Sequence, residues 1–196
     1  MRTAYARWTL PSSAAAALAL AVIVILRDQG ELTATFLSWM LIPVYACHQI
    51  EEHAWPGGFQ QYVNTHAFGV TGRDWPLDNA AVFWINVPLT WVLFPLGAAL
   101  ATDAPWLAAG CFTVPIINGV LHGVFAVRFR GWNPGVVTGL LLLVPVGIAG
   151  YAGMTHLSTG DAVGAWAIGI AVHLGLVLFG VARLHRSRVS PQSSPV

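Results

Sequence analysis

Apolar stretches of membrane-spanning length recur along the whole of this 196-residue sequence. A helix needs about 20 consecutive apolar residues to cross the hydrocarbon core of a bilayer. Stretches near that length cover residues 8–26, 32–50, 80–101, 105–127, 134–157 and 162–184. Because backbone polar groups within a bilayer must bond inside their own segment, each stretch is predicted to be a helix. The sequence therefore predicts an all-α fold, a polytopic membrane helical bundle of about six transmembrane helices.

The composition agrees with a membrane protein and argues against a nucleic-acid partner. Hydrophobic residues make up 56% of the chain and charged residues only 9%, whereas about 25% of an average soluble protein is charged. The formal net charge is +1, which gives no surplus of cations to neutralise a run of phosphates. The expected partner is the lipid bilayer, and nothing in the composition defines an oligomeric state.

Arginine placement predicts the orientation in the membrane. Only Arg27 falls on one side of the predicted bundle. The other side has the remaining eight, which are Arg2, Arg7, Arg73, Arg128, Arg130, Arg183, Arg186 and Arg188. By the positive-inside rule, both termini are predicted to be cytoplasmic, with the chain in the cell or plasma membrane. Residues 1–186 are predicted to form a single integral membrane domain, and the polar, proline-rich residues 187–196 a disordered cytoplasmic tail.

Prolines inside the apolar stretches predict irregular helices. A proline cannot donate a backbone hydrogen bond, so it kinks a helix and leaves a carbonyl free for a neighbour or water. The second to fifth stretches are interrupted in this way, by Pro43, Pro88, Pro95, Pro115 and Pro145. Several of the helices are therefore predicted to be proline-kinked.

Ionisable residues are concentrated at the cytoplasmic end of the second predicted helix. His48, Glu51 and Glu52 lie there at positions i, i+3 and i+4. On a helix these three side chains share one face, whereas His53 is predicted to point elsewhere. The chain thus gathers scarce polar groups at one level of the membrane.

A second polar pair is predicted to reach the same depth from another helix. Asn118 and His122 are one i, i+4 step apart on the fourth helix, which descends from the outside, and Asn86 lies early in the third helix on the same side. Each residue taken alone also has a structural explanation, as an interfacial carboxylate or as a hydrogen-bonding contact between helices. Together they favour a functional site, because ionisable groups within a membrane are costly unless paired.

These residues also carry a family resemblance. The sequence from His48 to Glu52, followed by Trp-Pro-Gly-Gly-Phe, resembles the signature of the HXXEE-domain proteins, small integral membrane proteins without an established activity. The segments Asn-Gly-Val-Leu-His at 118–122 and Asn-Pro-Gly at 133–135 support it, and the similarity extends from about Trp39 to Thr138. Trp132 stands where a tyrosine is expected. The resemblance implies a site but no reaction, and the residues it implies are His48, Glu51, Glu52, Asn118 and His122.

Metal-dependent catalysis is the first hypothesis for this set. Histidine nitrogens and carboxylate oxygens suit zinc, iron or manganese, and a helical H-x-x-E supplies two ligands from one face. The expected metal ligands are His48, Glu51 and His122. Glu52 is expected to be a further ligand or a general base acting on metal-bound water, with Asn118 completing the catalytic set. The expected substrate is small and apolar or lipidic. The pattern departs from the inverted zinc-protease motif, which has a histidine where this chain has Glu52.

Two other classes of function stay open. In the first, a metal-free glutamate donates a proton in an apolar cavity with histidine as its relay, and tryptophan faces stabilise a cationic intermediate. Isomerisation or cyclisation of an isoprenoid-like lipid would use such groups. The second class is a transporter, a proton relay or an accessory membrane protein. A conduit needs polar groups across the full membrane depth, and only His173, expected to be a packing histidine, lies near the middle. The sequence therefore favours an enzyme over a transporter.

Overall fold

The computed structural model describes residues 7–26 and 34–189, and its regular structure there is entirely helical. The all-α class is confirmed for these residues. Seven helices follow one another in the described ranges: α1 (Thr9–Leu26), α2 (Ala34–His53), α3 (Phe59–His66), α4 (Asn79–Ala99), α5 (Pro105–Arg128), α6 (Val136–Ala152) and α7 (Thr159–Val189). The predicted tail begins at Ser187, but the backbone of α7 continues to Val189, and residues 190–196 lie outside the described ranges. Arg2 and Arg27 lie outside them too.

Three of the described helices are long and apolar enough to cross a membrane, which is consistent with a membrane protein. They are α4, α5 and the Thr159–Arg186 part of α7. The predicted count of six spanning helices is not supported. Helix α6 is shorter than its apolar stretch, because the turn at Asn133–Gly135 delays its start and Ala152 ends it. In α1 the apolar range whose side chains the structure describes, Thr9–Val24, is shorter than a span, and α2 ends in His-Gln-Ile-Glu-Glu-His, which lowers its mean hydropathy.

Prolines mark the irregular parts of α4 and α6. Each of these helices contains one π-helical turn, at Leu89–Leu93 and at Gly139–Leu143. A proline stands two residues after each turn, Pro95 in α4 and Pro145 in α6. Because proline lacks the amide hydrogen that a regular turn would use, the bonding pattern changes there. Pro43 and Pro115, by contrast, lie within continuous α-helix.

Helix α5 is central to the packing. Helices α6 and α7 pack along it, and α2 contacts α4, α5 and α6. A hydrophobic core joins four of these helices through Leu41, Phe94, Phe112 and Leu143, which have no exposed surface. Helices α5 and α6 approach closely at Gly119, where a Cβ atom would collide with the carbonyl oxygen of Gly139. Small residues permit this approach, and it brings the end of α5 against the start of α6.

Hydrogen bonds hold both ends of the segment between α3 and α4. The Asn64 amide donates to the carbonyl of Leu77 at 2.9 Å and accepts from its amide at 3.0 Å. Asp78 caps α4 by accepting from the amide of Ala81 at 2.8 Å, and the Arg183 guanidinium of α7 donates to Asp78 at 2.7 Å. This hydrogen bond from Arg183 holds the pKa of Asp78 below its usual range. The segment is thereby held against the end of α7.

Candidate functional site

Two histidines and a glutamate meet between the ends of α2 and α5. The rings of His48 and His122 are 4.9 Å apart and nearly perpendicular, at 85°. Glu52 Oε1 lies 3.4 Å from His48 Nε2 and 3.1 Å from His122 Nε2. The exposed fractions of His48, Glu52 and His122 are 0%, 3% and 3%. A buried carboxylate oxygen therefore faces two imidazole nitrogens.

Thr138 fixes the tautomer of His48. Its hydroxyl donates to Glu51 Oε2, and His48 Nδ1 lies 2.8 Å from the same hydroxyl oxygen. A hydroxyl has one hydrogen, so after donating to Glu51 it can only accept from His48 Nδ1–H. His48 Nε2, which is buried without a hydrogen-bond partner, is left to bind a proton or a metal.

Asn133 fixes the tautomer of His122. Its amide nitrogen donates to the backbone carbonyl of His122 at 3.0 Å, and this contact orients the amide group. The amide oxygen then faces His122 Nδ1 at 2.7 Å. An amide oxygen only accepts, so Nδ1 carries the hydrogen and Nε2 faces Glu52. Both histidines thus direct Nε2 toward one carboxylate oxygen.

Gly135 closes the centre from the loop before α6. Its φ of +98° lies in the left-handed region that favours glycine. A Cβ atom there would lie 2.5 Å from His122 Cε1, 2.8 Å from His48 Cε1 and 3.0 Å from Glu52 Cγ. Two independent constraints therefore exclude a side chain, and the bare backbone of residue 135 covers the three groups.

The donor set suits a metal ion. The nearest ligand atoms of His48, Glu52 and His122 all lie within 4.8 Å of one another, and in the part of the chain that the structure describes this is the one such group of histidine, cysteine, aspartate and glutamate. Histidines that bind metal almost always donate their other ring N–H to an oxygen, as both do here. Two histidines and a carboxylate also form the three-ligand set of catalytic zinc sites, which keep a further position open.

Glu51, predicted to be a metal ligand, is not in the group of three and binds the start of α6 instead. Its Oε1 accepts from the amide of Val137 at 3.2 Å, and its Oε2 accepts from the amide of Thr138 at 2.8 Å as well as from the hydroxyl. The free amides at the start of a helix are favourable partners for a carboxylate. Of the predicted ligands, the structure therefore brings His48 and His122 together, and Glu52 takes the position expected for Glu51.

The hydrogen bond of Asn118 goes to Tyr45 and not to the three groups of the centre. Its amide nitrogen donates to the Tyr45 hydroxyl at 3.3 Å, and its Oδ1 is buried without a hydrogen-bond partner. Asn86 orients the end of α2 instead, since its Oδ1 accepts from Gln49 at 3.3 Å. The two asparagines are therefore near the centre without being part of it.

Four residues that contribute to the centre were not predicted as site residues. Thr138, Asn133 and Gly135 come from a segment that only the family resemblance had singled out, through Asn-Pro-Gly. His53, placed on another face by helical spacing, has its Nε2 at 3.3 Å from Glu52 Oε2. It also lies 3.3 Å from the amide nitrogen of Asn86. The second oxygen of Glu52 thus has a histidine partner as well.

Two cavities meet at Glu52 and His53, which line both of them. The first, of about 170 Å³, is largely apolar and extends between α2, α4, α5 and α7. It is lined by, among others, Phe59, Leu89, Leu121, His122, Phe125 and Leu176. The second, of about 180 Å³, is more polar and includes Thr9, Gln60, Gln61, Asp74 and Asn79. Glu52 and His53 therefore face both an apolar cavity and a more polar one.

Tyr62, on α3, lies outside the helices long enough to span a membrane. Burial raises the pKa of its hydroxyl, whose oxygen has no hydrogen-bond partner. Its ring stacks on His66 with 4.2 Å between centroids. Neither residue reaches the centre, so His66 is suited to serve as a control for the buried histidines.

Comparison with known proteins confirms the resemblance seen in the sequence. A family model described as a protein of unknown function with HXXEE motif matches residues 39–150, more than half of the chain. The matched range includes His48, Glu52 and His122, together with Thr138 and Asn133, and stops before α7. No curated protein and no solved structure matches the chain.

Proposed function

The chain belongs to the HXXEE family, whose function is unknown, and we propose that it is a membrane enzyme that binds a divalent metal through His48, Glu52 and His122. Its substrate is a small apolar or lipidic molecule held in the adjacent apolar cavity. The observation that carries this proposal is the convergence of two Nε2 atoms, each freed by a hydrogen bond at Nδ1, on one buried carboxylate oxygen.

The electrostatics of the centre favour a bound cation. Two nitrogen lone pairs and a carboxylate oxygen repel one another at 3.1 and 3.4 Å unless a proton or a metal lies among them. Burial makes the repulsion costlier, because the interior of a protein screens charge less than bulk water does. A divalent ion would satisfy all three groups at once, and zinc, iron and manganese all accept this mixture of nitrogen and oxygen ligands.

Each residue has a separate task in this proposal. Such an ion would supply a Lewis acid and an activated water. Thr138 and Glu51 orient His48, and Asn133 orients His122. The polar cavity leads water to Glu52 and His53, whereas the apolar cavity holds the substrate on the other side of the same pair. Asn118 contacts the substrate rather than the metal.

A metal-free acid–base enzyme is the second candidate, and the 3.1 Å contact between His122 and Glu52 favours it. One proton shared by this pair would form a charge-assisted hydrogen bond. The pair could then protonate an isoprenoid-like lipid in the apolar cavity, as isomerases and cyclases do. A transport or accessory role has less support, because the ionisable groups of the centre cluster at one end of α2 and α5.

The proposed orientation puts both termini, and with them the centre, on the cytoplasmic side. Its support is the arginines that flank the centre, Arg73, Arg128 and Arg130. Reporter fusions after Arg73 and Arg130 should report the inside, and fusions after Asp103 and Gly160 the outside. A cytoplasmic signal at Gly160 would overturn the orientation.

Metal analysis of the purified protein tests the proposed function. The wild type should retain about one zinc, iron or manganese ion per chain, as three-ligand sites do. His48→Ala should lose it while the fold, followed by circular dichroism, persists. His66→Ala is the matched control, because this exposed histidine lies outside the centre, and it should keep the metal. A folded wild type that binds none of the three metals would favour the acid–base enzyme instead.

A further inference from the structure

The apolar cavity beside the centre contains two polar groups with an unused hydrogen-bond acceptor. They belong to Asn118 on α5 and His173 on α7, and both residues line the cavity. The polar side chain of Asn86, which also lines it, is occupied, since its oxygen accepts from Gln49 and its nitrogen donates to Val82. The two acceptors therefore stand out in an otherwise mostly apolar wall.

Asn118 provides the more buried acceptor. Its nitrogen is bound to the Tyr45 hydroxyl, and its Oδ1 is buried without a partner. A buried acceptor that forms no hydrogen bond is costly, and native proteins rarely leave one unexplained. Because this atom belongs to a cavity-lining residue, a ligand in the cavity is a natural partner for it.

His173 provides the second acceptor. Its Nδ1 lies 2.7 Å from the carbonyl oxygen of Gly169, one turn earlier in α7. A carbonyl only accepts, so the ring hydrogen is on Nδ1 and Nε2 keeps its lone pair. For His173, expected to be a packing histidine, this hydrogen bond engages Nδ1 and leaves Nε2 available as an acceptor.

The rest of the wall limits what the ligand can be. Among the described residues that line the cavity none is an arginine, and the sequence has no lysine, so an anionic head group lacks a counter-ion there. A cationic amine would need a carboxylate, and Glu52 already binds the metal in the proposed function. A volume of about 170 Å³ is close to that of engineered cavities of about 150 Å³ that bind benzene.

We infer that the cavity binds a neutral apolar alcohol whose hydroxyl donates to Asn118 Oδ1, with His173 as a secondary acceptor. This inference rests on the proposed function and names its substrate class. It also makes Asn118 a residue that determines specificity, because the hydrogen bond selects for a donor within an apolar body. The hydroxyl would thereby be fixed in a cavity whose wall includes Glu52 and His122.

Two isomeric probes test this inference. 1-Octanol and 1-methoxyheptane have the same atoms and nearly the same shape, but only the alcohol can donate a hydrogen bond. Their dissociation constants would be measured calorimetrically in lipid nanodiscs and corrected with empty nanodiscs. The wild type should bind the alcohol about tenfold more tightly, which corresponds to about 1.4 kcal/mol, the scale of one hydrogen bond. Equal affinities would overturn the inference without the need for any variant.

Substitutions then assign the acceptor. In Asn118→Leu the ratio of the two affinities should fall to about one, and in His173→Leu it should fall less. Leu176→Met, an apolar change in the same wall, should leave the ratio unchanged. A ratio that persists in Asn118→Leu, or that is lost only in His173→Leu, would contradict the assignment to Asn118.

Metal-loaded and chelator-treated protein separate this inference from the proposed function. Asn118 is not a ligand, so the preference for the alcohol should persist without metal. If the protein binds metal but shows no preference for the alcohol, the inference is overturned and the metal proposal stands. A preference for the alcohol in a protein that binds no metal would support the inference and overturn the metal proposal.

Discussion

In the part of the chain that the structure describes, acids pair with bases in two regions, one buried and one partly exposed. At the end of α2, Glu52 is buried between three histidines, and at least two of these are oriented by a further residue. Between α4 and α7, Asp78 and Arg183 form an ion pair whose side chains are 33% and 20% exposed. A partly exposed pair fastens two elements at little cost. A buried set is expensive to assemble, so its presence needs a function to explain it.

Gly135→Ala should have the largest effect, because it changes the buried region where three groups meet. The left-handed backbone costs an alanine about 1 to 2 kcal/mol, and the collision with both imidazoles adds about 1 to 3 kcal/mol of overpacking. Metal binding should be lost. Thermal melts and metal analysis would measure both effects.

Gly69→Ala is the control for Gly135→Ala. Gly69 has a φ of +67° but nothing within 4 Å of its Cβ position. Gly69→Ala should therefore lose only the stability that a left-handed backbone costs an alanine, and the protein should keep the metal. If both variants retained metal, the described position of the 133–138 segment over the centre would be wrong.

Glu52→Gln and Glu51→Gln make the same chemical change at adjacent residues and should differ in result. Glu52→Gln replaces the carboxylate ligand, so metal affinity should fall by more than about 100-fold. Glu51→Gln disturbs only the support of His48 through Thr138, and such outer partners are worth about 10- to 100-fold in affinity. Titration with zinc against a competing chelator would rank them. The reverse order would restore Glu51 as the ligand.

Thr138→Val should have a smaller effect than the loss of a ligand. The valine keeps the shape of threonine but removes the acceptor of His48 Nδ1–H, so metal affinity should fall at the lower end of the range for outer partners, about 10-fold. Thr90→Val is the control, since it makes the same change at a fully buried threonine that accepts from Gln49 instead of His48. Unchanged affinity in Thr138→Val would show that this hydroxyl does not orient the ligand.

Arg183→Gln, in the partly exposed region, should have the smallest effect, about 0 to 1 kcal/mol of stability with no loss of metal. The pKa of Asp78 is lowered in the folded state. Its stabilising contribution is therefore present above the unfolded pKa of about 3.9 and is lost as the pH falls through the folded value. Melts between pH 3 and pH 7 should show this loss in the wild type and less of it in Arg183→Gln. An equal pH dependence in both would mean that Arg183 does not hold the Asp78 carboxylate.

The sequence predicts which helices supply the histidines but not which glutamate faces them. Helical spacing places Glu51 and Glu52 on the same face as His48, at i+3 and i+4. Which of the two glutamates faces the histidines depends on the segment that packs against this face. That segment is 133–138, whose Thr138 is 90 residues from His48. Contacts over such distances have no local signal in one sequence.

The sequence predicts the helices themselves but not the number of helices that span the membrane. Apolar composition over about 20 residues is a local property, and it predicts helices well in a bilayer. Where a helix ends depends on turns such as the one at Gly135, which shortens α6. His53 is the last residue of α2, and its Nε2 lies 3.3 Å from Glu52 Oε2 although helical spacing predicts that it points elsewhere.

X-ray absorption on the zinc-loaded protein tests the central claim most directly, because it reports the atoms bound to the metal. We expect two histidine nitrogens at about 2.0 to 2.1 Å together with carboxylate or water oxygens. In His122→Ala the histidine contribution should fall to one nitrogen, or the metal should be lost. A zinc shell without histidine in the wild type, or one left unchanged in His122→Ala, would contradict the account.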